Sequence, residues 1–233
     1  MLTIRSILFN IGIYLFTVFF VIVLPLFFFT PKTICDSYIN LWSKFALWWV
    51  KLTCNLRYEV EGIDNIPDET SIVMAKHQSA WETIALQQIL PTQTWVLKRE
   101  LLWIPFFGWG LAMTQPVAID RKAGKKALKQ VIEQGKDRLD KGIWLVVFPE
   151  GTRVAHGETG NYAVGGAMLA THSGYQVVPI AHNAGKYWPK NSFVKMPGVI
   201  KVIIGPVIQS EGKKPKELNE MVKAWIESTT NSL

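Results

Sequence analysis

The stretch Ser71-Ile72-Val73-Met74-Ala75-Lys76-His77-Gln78-Ser79-Ala80-Trp81-Glu82-Thr83-Ile84-Ala85-Leu86-Gln87-Gln88-Ile89-Leu90 passes through three regimes. The apolar run 71–75 reads as a buried strand, and 84–90, up to Pro91, has helical spacing. Between them, H-Q-S-A-W-E-T (77–83) hands the strand over to the helix. Glu82 falls in the first helical turn. A histidine and a carboxylate that meet across such a turn form a minimal general base. The carboxylate fixes one ring nitrogen and leaves the other free to take a proton. The same residues have a second reading. Ser79-x-x-Glu82 is also a capping box, in which Glu82 only satisfies backbone donors at the helix start. The stretch alone leaves both readings open.

Working outward, strands are predicted over 56–60, 94–98, 116–119, 143–148, 177–181 and 199–204, and helices over 123–139, 161–173 and 214–228. The run 143–148 is nearly all apolar, as in a sheet interior. In 123–139, Ala127, Leu128, Val131, Ile132 and Leu139 share one face and the lysines form a solvated one. Strands alternating with helices predict an α/β fold with a mixed, largely parallel sheet flanked by helices. Residues 101–113 hold Trp103, Pro105, Phe106, Phe107, Gly108, Trp109 and Gly110, too many breakers for one helix. Such a segment walls a pocket, dips into a membrane or packs in the core.

The 233 residues make one large domain, or a domain and an appendage. The reading divides them into membrane-anchoring helices at 1–55 and an α/β domain at 56–233. From 7 to 29 only Asn10, Gly12, Thr17 and Pro25 interrupt an apolar run, and about 20 such residues span a bilayer. Next, 34–52 mixes Trp42, Phe45, Trp48 and Trp49 with Lys44 and Lys51, a composition suited to the headgroup zone. A spanning helix followed by an interfacial one, or a shallow hairpin in one leaflet, fits equally. Cys35 and Cys54 lack metal-ligand spacing and read as reduced thiols of a chain folding in the cytosol. The net charge of +7 calls for an anionic partner, whether nucleic acid, an anionic membrane surface or a phosphorylated substrate. Against nucleic acid, the basic residues are spread along the chain without a binding motif.

A second constellation is F-P-E-G-T-R, Phe148-Pro149-Glu150-Gly151-Thr152-Arg153, directly after a predicted buried strand. It brings guanidinium donors, a hydroxyl and flexible amides to a sheet end, a good anion cradle. Arg121, also at a strand end, could reach the same anion. The alternative is a turn closed by an ion pair of Glu150 with Arg153.

From residue 62 to 206, four blocks stand in one order: His77 to Glu82, Lys98 through Arg121, Phe148 to Arg153, and Val178-Pro179-Ile180-Ala181. In these blocks the chain resembles the glycerolipid acyltransferases, most closely the bacterial 1-acyl-sn-glycerol-3-phosphate acyltransferases. The resemblance departs at Glu82, where the family usually has aspartate; the extra methylene moves the carboxylate by roughly 1.5 Å. It implies transfer of a fatty acyl group from acyl-CoA or acyl-carrier protein to the sn-2 hydroxyl of lysophosphatidate, giving phosphatidate. It implies His77 as general base, Glu82 as its orienting partner, and no cofactor or metal. Glu150, Gly151, Thr152, Arg153 and Arg121 would hold the glycerol phosphate, within the substrate-binding set that also takes in Phe148, Pro149 and Lys98. Lys98 and amides around Gly151 would meet the thioester oxyanion. The acyl groove would be walled by 101–113 and by the small-residue helix around Gly165. The catalytic body would sit on the cytoplasmic side of the inner membrane, among anionic lipids. Other acceptors remain (glycerol 3-phosphate, another lysophospholipid, a lyso-ornithine lipid), as does a non-catalytic, membrane-anchored lipid-binding protein.

Overall fold

The computed structural model describes residues 1–27, 30–104, 107–120 and 123–233. Along the chain run α1 (Leu2–Val23), α2 (Lys32–Cys54), β1 (Leu56–Glu61), β2 (Ile72–Ala75), α3 (Trp81–Ile89), β3 (Gln93–Lys98), α4 (Phe107–Met113), β4 (Val117–Ile119), α5 (Lys125–Asp140), β5 (Trp144–Val147), α6 (Gly165–Ser173), β6 (Val177–His182), α7 (Ala184–Tyr187), β7 (Gly198–Ile204) and α8 (Pro215–Asn231). Among the described residues, seven strands form one sheet in the order β1-β7-β6-β2-β5-β3-β4. From β6 to β4 every pairing is parallel. β7 runs antiparallel to β6, and β1 runs parallel to β7. This is the mixed, largely parallel sheet that the alternation of elements predicts.

Burial explains the sequence pattern. Every side chain of β2, β5 and β6 is buried, so these strands read as continuous apolar runs. The edge strand β1 alternates instead, with Leu56 inward and Arg57 outward. The period of two sends Val73, Ala75, Trp144 and Val146 to one face, where they pack with Trp81, Ala85 and Leu86 of α3. Ile72, Met74, Leu145 and Val147 go to the other, against Leu169 of α6, Val131 of α5 and Val222 of α8. So the helix after β2 and the helix after β5 leave on opposite faces of neighbouring strands. A crevice opens at the carboxyl ends of such a pair, where α/β sheets place their ligands.

The predicted helix 161–173 is shorter than its pattern. Asn161 to Val164 stay outside α6, because Ala163 N–H donates to the Pro149 carbonyl at 2.8 Å and Tyr162 is buried as a polar anchor. The breakers in 101–113 also have a cause. A 3-10 turn over Arg99–Trp103 comes before α4, and a Cβ on Gly108 would collide with the Leu102 carbonyl oxygen; Pro105 and Phe106 lie outside the described residues.

α1 and α2 form an antiparallel hairpin. Its rungs are Trp49 Nε1–H to the Phe9 carbonyl (3.1 Å), Trp42 Nε1–H to Thr17 Oγ1 (3.0 Å) and the Tyr38 hydroxyl to the Phe20 carbonyl (2.8 Å). Phe9, Val50 and Cys54 join Leu56 and Ile200 in one core, so the hairpin is packed on the α/β body. Its other side leaves Ile4, Leu8, Ile11, Leu15, Phe19 and Ile22 exposed. Among the described residues, α1 is the one helix long and apolar enough to cross a membrane by length and composition. Phe28 and Phe29, the end of the predicted apolar run, lie outside the described residues.

Candidate active site

His77 follows β2 by two residues, and Glu82 is the second residue of α3. Histidine Nδ1 and Glu82 Oε1 are 2.8 Å apart. The same oxygen accepts the N–H groups of Gln78 (2.9 Å) and Ser79 (2.8 Å), and Ser79 Oγ accepts the Trp81 N–H at 3.1 Å. The cap and the dyad are therefore one arrangement. The glutamate that satisfies the helix start is held in place to meet the imidazole, and its longer side chain makes the contact. A carboxylate accepts only, so Nδ1 carries the proton and Nε2 offers a lone pair. Burial alone would push the Glu82 carboxyl up. The hydrogen bonds from His77 and the Ser79 N–H work against it, and Glu82 titrates below its ordinary range.

The ring is held by stacking as well. Phe148 lies 4.0 Å from the His77 ring at 12°, and Trp95 stacks on Phe148 at 5.7 Å. The His77 backbone is clamped from both sides by the third block and the residue that follows it. Its N–H donates to Glu150 Oε2 (2.7 Å), and its carbonyl accepts from Val154 N–H (2.8 Å).

Glu150 does not face the substrate space. Its Oε1 takes the ammonium of the wholly buried Lys76 at 2.7 Å, and Lys76 also reaches Glu227 Oε1 of α8 at 2.8 Å and the Glu158 carbonyl at 3.0 Å. Glu227 accepts in turn from Tyr162 (2.7 Å) and Thr159 (3.0 Å). A buried ammonium without partners would be costly, and these contacts remove that cost. Burial still pushes the Glu150 carboxyl up against the pull of Lys76 and the His77 N–H. The ion partner of Glu150 is thus Lys76, in place of the Arg153 pairing the turn suggests on its own.

A cavity of ≈ 470 Å³ begins at His77. Lys98, Phe148, Gly151, Thr152 and Arg153 line it; Pro149 and Glu150 do not. Pro149 instead takes part in the turn closed by Gly151 N–H on the Phe148 carbonyl at 3.0 Å, with Gly151 at φ +65°. In the structure that bond holds the Gly151 amide in the turn. Arg121 lies outside the described residues. The rest of the wall is largely apolar and comes mostly from the hairpin and 101–113: Phe20, Val21, Leu24, Trp42, Leu101 and Leu111. The helix around Gly165 is not part of it. Gly166 packs on Met74 and Val147, on the opposite face of the sheet.

The family model described as Acyltransferase matches residues 57–183, the span from β1 to just past β6. The chain belongs to the acyltransferase family. It is 48% identical over 191 residues to the 1-acyl-sn-glycerol-3-phosphate acyltransferase of Pseudomonas aeruginosa, covering 81% of this chain and 74% of that one. It is 28% identical over 172 residues to the mouse 1-acyl-sn-glycerol-3-phosphate acyltransferase alpha, covering 72% of this chain and 60% of that one. In fold it matches the crystal structure of the 1-acyl-sn-glycerophosphate acyltransferase of Thermotoga maritima with a TM-score of 0.81 at 24% identity, over 100% of this chain and 97% of that one.

Three parts of this acyltransferase's site were not visible as motifs. Lys76 is a charge at the end of an apolar run, the one signal that it needs a buried partner. Glu227 follows the core residue Ile226 on an amphipathic helix and carries no comparable signal. His182 is fully buried at the end of β6; its Nδ1 accepts Ala184 N–H (3.3 Å) and its Nε2–H donates to the Lys76 carbonyl (2.8 Å). With both nitrogens so used the ring is neutral, and burial pushes its pKa down.

Proposed function

We propose that this acyltransferase moves a fatty acyl group from a thioester, acyl-CoA or acyl-carrier protein, to the sn-2 hydroxyl of lysophosphatidate, giving phosphatidate. The observation that carries this reading is a His–Glu pair at 2.8 Å whose histidine lines a largely apolar cavity together with Lys98 and Arg153. The sequence likeness to the Pseudomonas enzyme points to the same acceptor.

In the proposed step, His77 Nε2 takes the acceptor's hydroxyl proton as the oxygen attacks the thioester carbonyl. Glu82 holds Nδ1–H and balances the imidazolium that forms. General base catalysis of this kind contributes roughly 10²–10⁴-fold. The tetrahedral oxyanion is met by Lys98. It collapses to the ester, and the departing thiolate takes the proton back from Nε2. Attack is direct, so no acyl-enzyme and no cofactor enter this route. Arg153 grips the glycerol phosphate, with Thr152 beside it.

We further propose that residues 1–55 anchor the enzyme by lying in one leaflet. A 22-residue helix is about 33 Å long, enough to cross. Yet α1 touches the body near its start, through Ser6 and Phe9, and walls the cavity near its end, through Phe20 and Val21. A helix bound along its length is not free to project through a bilayer. Its exposed apolar side, with Leu41, Trp48 and Leu52 of α2, suits hydrocarbon and headgroup contact. Acyl chains then enter between hairpin and body directly from the leaflet. Thioester donors are cytosolic, so the body faces the cytoplasm at the inner membrane, where anionic lipids attract its positive charge.

The test is product identification by mass spectrometry. Purified enzyme in mixed micelles receives acyl-CoA or acyl-carrier protein with lysophosphatidate, glycerol 3-phosphate, lysophosphatidylcholine and a lyso-ornithine lipid in turn. Phosphatidate as the dominant product supports the reading; its absence beside an active alternative acceptor would overturn it.

A further inference from the structure

Between α7 and β7 runs a loop that belongs to none of the four blocks. Met196 N–H closes its base on the Tyr187 carbonyl at 2.7 Å. Within it, Ser192 N–H donates to the Pro189 carbonyl at 3.1 Å, a turn whose central residues are Lys190 and Asn191. Asn191 stands at φ +59°, a left-handed conformation that asparagine tolerates at that turn position. The far side of the loop is tied to α1. Lys195 N–H donates to Ser6 Oγ at 3.0 Å. The Lys195 ammonium lies over the rings of Phe9, Trp188 and Phe193 at 5.3, 5.0 and 5.6 Å. It also donates to Asn10 Oδ1 at 3.3 Å and to the Phe193 carbonyl at 2.9 Å. The turn is therefore fixed at both shoulders, and its tip lies where Lys190 and Asn191 line the same cavity as His77 and Arg153.

The charge lining the cavity is one-sided. Among the described lining residues the ionised side chains are Lys98, Arg153 and Lys190, with no aspartate or glutamate. Lys190 is exposed and makes no hydrogen bond or ion pair among the described residues, so its ammonium is available. A phosphomonoester carries about −1.5 to −2 charges near neutral pH, more than one guanidinium neutralises. A phosphodiester carries one.

We propose that Lys190 is a specificity-determining contact for the acceptor: with the Asn191 amide beside it, its ammonium takes the phosphomonoester that Arg153 grips from the other block. This rests on the reading of the cavity as the lysophosphatidate site. Its consequence is preference for a monoester headgroup over a diester one such as lysophosphatidylcholine.

The experiment compares wild type with Lys190→Ala and Lys190→Arg in mixed micelles, with separate kinetics for lysophosphatidate, lysophosphatidylcholine and acyl-CoA. Lys190→Ala should raise the lysophosphatidate KM about 10- to 150-fold, the range for one charge-assisted contact. Its kcat and acyl-CoA KM should stay within about 2-fold, and Lys190→Arg should restore most of the acceptor KM. A structural role for the turn would not produce that split or the rescue. An unchanged lysophosphatidate KM in an active Lys190→Ala enzyme overturns this inference alone. A rise confined to the acyl-CoA KM also overturns it, because the ammonium would then hold the donor's phosphates. Wild-type enzyme that forms no phosphatidate removes this inference and the functional reading together.

Discussion

The His77 N–H donates a 2.7 Å hydrogen bond to Glu150 Oε2, which joins the proposed general base to the turn of the third block through the backbone. On that proposal, Glu150 positions His77 without touching substrate. Glu150→Gln loses the charge that Lys76 faces, and a charged hydrogen bond of this kind is worth about 1.5–3 kcal/mol. The expected outcome is a fall of that size in unfolding free energy and a fall in kcat of tenfold or more, with the acceptor KM unchanged. Steady-state kinetics beside urea unfolding would check it. A variant whose main change is a raised acceptor KM would return Glu150 to the headgroup.

Glu82 is tested by charge and by length. Glu82→Gln keeps an oxygen for Nδ1–H but removes the charge that balances an imidazolium. Its kcat should fall about 10²- to 10⁴-fold. Glu82→Asp keeps the charge but shortens the reach, so it should lose less than Glu82→Gln. The reverse order would mean that capping, not charge, is what matters at this position.

The buried His182 predicts a pH dependence of stability. Its folded pKa lies below the ordinary value of 6.5 because burial disfavours the cation. The unfolded chain therefore binds the proton first as pH falls. The contribution of His182 is complete above pH 6.5 and is lost as the pH drops toward and through the folded value, at up to about 1.4 kcal/mol per unit. Urea midpoints between pH 7.5 and 5 should fall in wild type and flatten in His182→Gln. Glu150, whose pKa is raised, contributes with the opposite sign, so the difference between the two proteins is the informative quantity. Equal slopes would contradict a neutral, buried ring.

Acyl-chain length should respond to Gly110, which lines the cavity with Leu24 opposite it. A Cβ there would meet Leu24 Cδ2 at 3.5 Å, an ordinary contact, so Gly110→Ala should be tolerated. Gly110→Leu should narrow the cavity and shift preference toward shorter thioesters. Each methylene that no longer fits forfeits about 0.8 kcal/mol, roughly fourfold in kcat/KM. Competition among thioesters of graded length measures this directly; an unmoved profile would place the acyl chain elsewhere.

Much of this was legible in the sequence, and the reasons differ by element. β2, β5 and β6 announce themselves because both of their faces are covered. The meeting of His77 and Glu82 follows from a strand handing over to a helix within six residues. What could not be read are contacts set by the tertiary fold alone. Glu227 meets Lys76 across 151 positions of chain, and no local pattern marks such a pair. Glu150 stands in a motif that suggests anion binding, yet the turn aims it inward at Lys76. Of the two expected walls, 101–113 lines the cavity, but the helix around Gly165 does not. Small residues around Gly166 suggest room for a ligand, but they answer to close packing on Met74. The hairpin that does line the cavity was legible as membrane-seeking, and its second use appears only when it folds back on the body.

The central claim is that one imidazole removes the proton from the acceptor hydroxyl. The most direct measurement is single-turnover acyl transfer to lysophosphatidate by His77→Ala, with its unfolding midpoint and vesicle binding measured beside it. The account predicts a rate at least about 10³-fold below wild type with folding and membrane binding preserved. Turnover near the wild-type rate in that folded variant would contradict it.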